Sequence, residues 1–61
     1  MLQLSEVLIA NPQFECFGEL IAAVRQGARQ ERFFRMDIKP PYPDTPMDWE
    51  DRLESAFSGV L

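Results

Sequence analysis

FFRMDIKPPYPDTP, residues 33–46, interrupts a chain otherwise patterned for helices. In its first half apolar and polar residues alternate. Phe34, Met36 and Ile38 fall on one side, and Arg35, Asp37 and Lys39 on the other. Period two with an aromatic and a β-branched residue predicts a half-buried strand over about 33–39. The competing reading continues the preceding helix through residue 35, which aligns Arg25, Arg29, Arg32 and Arg35 in one stripe. Gly27 in the interior of such a helix weighs against it. The second half holds prolines at 40, 41, 43 and 46. They cannot donate to a ladder and predict an extended connector over 40–46. A lone strand leaves an unpaired edge, which is a template for association.

Outward from this stretch the chain reads as helices. After the connector, Thr45 is a candidate N-cap with Pro46 in the first helical position and Asp48 close to a capping box. Trp49, Leu53, Ala56, Phe57 and Val60 then share one face of a helix over about 46–58. Before the strand, Asn11 and Pro12 open a helix over about 12–26, with Phe14, Phe17, Leu20, Ile21 and Val24 on one face. Gly27 is suited to close it in the left-handed conformation. Gly18 is either tolerated there or permits close approach by another backbone. Ser5 is the candidate N-cap of a first short helix, about 5–10, stapled by Leu4 and Ile9. A second reading makes residues 2–9 a strand, because Leu2 and Leu4 alternate; the run Val7-Leu8-Ile9 breaks that pattern. The expected fold is small α+β and mostly helical: helix, helix, strand, proline connector, helix.

Sixty-one residues form one domain, residues 1–61, that buries only about 60% of its unfolded surface. Small domains gain stability from disulfides, metals or association. Cys16 is the sole cysteine and there is no histidine, so an intrachain disulfide and a tetrahedral nitrogen–sulfur metal site are both excluded. Association is the remaining route. The apolar fraction of 46% is that of a globular chain, no apolar run spans a bilayer, and the first residues lack a basic leader. A cytoplasmic setting is expected.

Catalytic machinery is sparse in the sequence. Without histidine, a serine or cysteine nucleophile has no evident base, and the three glycines are too scattered for a phosphate loop. Cys16 reads as a small apolar residue of the second helix, between two core phenylalanines. No cofactor, metal or small-molecule substrate is expected, and the chain reads as non-enzymatic. Charge is more informative, since the net −4 is segregated. Residues 25–39 hold five basic residues against two acids, whereas both flanks are acidic. One reading places the basic strand against the acidic last helix, of its own chain or of a second copy. The other is an anion or nucleic-acid contact through Arg25, Arg29, Arg32 and Arg35, within a segment running to Lys39.

The expected function is that of a small acidic protein-binding or regulatory protein, an inhibitor or adaptor of a larger complex. Its expected interface is Phe33, Phe34, Arg35, Met36, Asp37, Ile38, Lys39 and Tyr42. The strand pairs with its copy about a twofold axis in a homodimer, or with a foreign partner. In the homodimer Arg35 and Lys39 meet Asp37 across the ladder. A nucleic-acid-binding regulator is the alternative.

Overall fold

The strand finds its neighbour inside its own chain. In the computed structural model, which describes residues 1–59, strand β1 (Leu2–Gln3) runs directly into helix α1 (Leu4–Ala10). Helix α2 (Phe17–Ala28), strand β2 (Phe34–Arg35) and helix α3 (Trp49–Ser58) follow. β1 and β2 form a two-stranded parallel sheet with Leu2 opposite Phe34 and Gln3 opposite Arg35. The Leu2 N–H donates to the Phe33 carbonyl at 2.8 Å. Parallel pairing needs a long crossover, and α1 and α2 supply it. The small α+β class is therefore observed, with about half of the chain helical rather than most of it.

The core is a layer of aliphatic side chains between α2 and α3, closed by α1. Leu4, Leu20, Val24 and Leu53 have lost all contact with solvent. Burying each stabilises the fold by about 1.5–3 kcal/mol. Val7, Phe17 and Ala56 complete the cluster, and Phe34, Met36, Tyr42, Trp49 and Phe57 pack on its margin. Phe34 stacks on Phe57 with ring centroids 5.3 Å apart and planes 20° apart, which ties β2 to α3. The radius of gyration is 10.4 Å. A compact chain of this length has about 10.5 Å, so the described residues pack to ordinary compactness.

Several expectations are corrected, each for a tertiary reason. The first helix starts at Leu4, not Ser5; Gln3 ends β1 in an extended conformation that serves as the N-cap. The alternation of Leu2 and Leu4 did mark a strand, but one of two residues. The second helix starts at Phe17, not at 12. Residues 12 and 13 form a turn, and Cys16 is the half-buried N-cap, not an interior residue. That helix runs past Gly27 to Ala28 and ends at Arg29 with φ −68°, so no left-handed glycine closes it. The strand expected over 33–39 pairs only at Phe34–Arg35, because its partner is itself two residues long. The third helix starts at Trp49, not at 46. Thr45 instead donates its hydroxyl to the Pro40 carbonyl at 3.4 Å, and Asp48 is the N-cap. Val60 of its expected apolar face lies outside the described residues.

The glycines differ in what surrounds them. A Cβ on Gly18 would meet only Cys16 Sγ, at 4.0 Å, so no backbone approaches there. A Cβ on Gly27 would lie 3.0 Å from Leu2 Cδ2 and 3.2 Å from Cδ1. Close approach therefore occurs at Gly27, from the Leu2 side chain. Gly18→Ala is expected to stabilise the protein by ~0.5–1 kcal/mol through helix propensity. Gly27→Ala should gain less, or lose stability, because Leu2 must move. Urea denaturation of the two variants compares them; a larger gain at Gly27 would contradict the packing of Leu2.

Candidate functional site

Helices begin with backbone N–H groups that have no partner within the helix. Gln3 and Cys16, the N-caps of α1 and α2, make no capping hydrogen bond with their side chains. Carboxylates from the segment before α3 take that role. Asp37 accepts from the Ser5 N–H at 3.0 Å through Oδ1 and from the Ser5 hydroxyl at 2.6 Å through Oδ2. Asp44 accepts from the Phe17 N–H at 2.8 Å. Within α2, Glu19 reaches back to accept from the Glu15 N–H at 3.0 Å, completing a shell of acceptors around that helix start.

The Ser5 hydroxyl and N–H hold the Asp37 carboxyl below its ordinary value of 3.8. Asp37 was expected to face outward and to meet basic residues across a dimer ladder. It remains exposed, yet both its oxygens are engaged by α1. The segment is thereby fastened to the first helix at Asp37 and to the second at Asp44. Tyr42, expected on display between prolines, instead lies half-buried against the core, and burial raises its pKa. Pro40 beside it is buried. The proline stretch is a structural strap.

The other expected interface residues divide into two groups. Phe34 and Met36 pack on the core as expected. Ile38 does not; it is 43% exposed, because the chain leaves the sheet after Arg35. Phe33 is 67% exposed, and Arg35 and Lys39 are exposed. The outer side of β2 has no neighbouring strand among the described residues. Alternate residues of a strand direct their backbone groups to one side. The Phe33 carbonyl points to β1, so the N–H and carbonyl of Phe34 point away from it.

Charge pairing inside the chain is not what segregates the basic residues. Among the described residues the ion pairs are Arg52 with Asp48 at 2.9 Å and the Met1 amino group with Glu31 at 2.7 Å. Arg25, Arg29, Arg32, Arg35 and Lys39 have no carboxylate within ion-pair reach there, so β2 meets α3 through the Phe34–Phe57 stack and not through an ion pair. Nor do the four arginines form one stripe. Arg25 borders a groove of about 520 Å³ between α2 and α3, facing Asp48, Asp51 and Arg52. Arg29 and Arg32 border a different depression, beside Phe57. Arg35 sits on the sheet, opposite Gln3.

Among the described residues no three potential ligands converge as a metal-binding group, and no helix is long and apolar enough to cross a membrane. No family model, curated protein or solved structure matches this chain. Sequence reasoning missed Ser5 as the partner of Asp37, Asp44 as a cap, and Leu2–Gln3 as the strand neighbour. Only the last left a trace, in the spacing of Leu2 and Leu4.

Two outcomes test the strap. Asp44→Ala should destabilise the protein by about 1 kcal/mol, the ordinary effect of losing a helix cap, with protection from hydrogen exchange lost first near Phe17. A carboxyl whose folded pKa is lowered stabilises the fold above its unfolded pKa, and that contribution disappears as pH falls through the folded value. Ser5→Ala should therefore move the Asp37 carboxyl up toward 3.8 in a carbon-13 titration. It should also flatten the pH dependence of stability below about pH 4. An unchanged Asp37 titration would show that Ser5 does not hold it.

Proposed function

We propose that this is a non-enzymatic protein-binding module whose contact surface is the outer edge of β2 and the residues flanking it, 33–39. The observation that carries the reading is an unpaired strand edge bordered by exposed apolar side chains. Phe33 is 67% exposed and Ile38 43%, and no strand neighbours the outer side of β2 among the described residues. Exposed strand edges pair with further strands unless they are blocked. β2 is bordered on both sides by non-helical chain along which a partner strand can extend, whereas β1 gives way at once to α1. Inhibitors and adaptors bind through such edges by adding a strand, with backbone hydrogen bonds supplying affinity and neighbouring side chains supplying selectivity. The lack of histidine and of a nucleophile with a base supports a binding role over a catalytic one.

Site-directed photo-crosslinking in cells tests this. A photoreactive phenylalanine analogue at position 33 should give a discrete protein adduct. The same analogue at Ala22, exposed on α2, should give none. Adducts of equal yield from both positions, or none from position 33, would defeat the proposal.

A further inference from the structure

We infer that the occupant of the β2 edge is an extended acidic segment of another protein, an inference that rests on the binding role proposed for residues 33–39. Three features of the edge carry it. Arg35 in β2, and Arg32 and Lys39 close to it in sequence, are exposed and have no ion-pair partner among the described residues. Glu31 is paired with the Met1 amino group at 2.7 Å, and Asp37, which accepts two hydrogen bonds from Ser5 and attracts Arg35, offsets only one of the three positive charges. The Phe34 N–H and carbonyl face outward, so the edge presents a backbone pattern that a polypeptide strand matches and a sugar–phosphate backbone does not.

The same features disfavour a second copy of this chain. Antiparallel self-pairing brings the basic residues of one β2 segment alongside those of the other. The opposite-charge relief in that arrangement is Asp37 against Arg35 and Lys39. Asp37 supplies one negative charge per copy against the three cations Arg32, Arg35 and Lys39. Like charges facing each other across a ladder are unfavourable. An acidic strand meets the same cations without disturbing Asp37, and its approach is favoured by a local positive field on a protein whose net charge is −4.

Amide shifts of the nitrogen-15-labelled full chain test the inference, with three end-blocked hexapeptides as probes. One alternates valine with glutamate, one valine with glutamine, and one valine with lysine. A single-stranded oligothymidine is the fourth probe. The valine–glutamate peptide should shift the amides of residues 33–36 and bind about tenfold tighter than the valine–glutamine peptide, a preference that falls as salt rises. Arg35→Gln and Lys39→Gln should each weaken it about threefold, the scale of an exposed ion pair. Both residues are exposed, so the variants should keep the wild-type fold, read from their remaining amide spectrum. Equal binding of the glutamate and glutamine peptides would overturn the inference. So would tighter binding of oligothymidine, or amides of 33–36 that shift on dilution of the protein alone, which would mark a second copy as the occupant. If the acidic peptide fails while position 33 still gives its protein adduct, the inference falls and the binding role stands. If the adduct is also absent, both fall.

Discussion

A helix start that leaves its N–H groups unbonded is unfavourable, and the first two helices of this protein do not meet that need with their own caps. They draw on Asp37 and Asp44, which lie 32 and 27 residues away in the chain from the groups they bind. A carboxylate at a helix N-terminus gains both a charge-assisted hydrogen bond and the favourable end of the helix dipole. The consequence is long-range. The segment between β2 and α3 is fastened at both ends of its proline stretch, with Pro40 and Tyr42 pressed toward the core between the two attachments. This strap sets where α3 begins and lets Leu53 and Ala56 close the core against α2.

The same fastening shapes the surface. Arg32, Arg35 and Lys39 make no ion pair among the described residues, and Asp37, bonded to α1, attracts Arg35 alone of the three. Because the ladder ends at Arg35, Ile38 is carried away from the core face. The sheet is then small, and the outer side of β2 has exposed Phe33 and Arg35 beside it. Under the proposed binding role, basic residues near the edge of an acidic protein would act mainly on approach and discrimination. The groove between α2 and α3 lacks that bias, because Arg25 and Arg52 there face Asp48 and Asp51.

The helical faces were legible because they follow from periodicity. Phe17, Leu20 and Val24 on one helix and Leu53 and Ala56 on another are buried as their spacing implies. The alternation of Phe34 and Met36 correctly placed both against the core. Helix starts were misread for a common reason. Asn11-Pro12, Ser5 and Thr45-Pro46 are sound local signals, and in each case a tertiary bond or a neighbouring strand moved the boundary. Capping between residues distant in sequence has no local signature, so Asp44 read as one more solvated acid.

By itself, the sequence determined that this is a small α+β chain with an extended segment after its second helix and a positive segment between acidic flanks. It also excluded an intrachain disulfide and a histidine-based site, because the residues are absent. Only the tertiary structure decided which groups meet: Leu2 with Phe34, Ser5 with Asp37, Phe17 with Asp44. The physical reason is that periodicity and capping propensity act over a few residues. A two-residue parallel ladder and a carboxylate clamp depend on where a helical crossover returns the chain. That return turned a strand with no apparent neighbour into one with a single open edge.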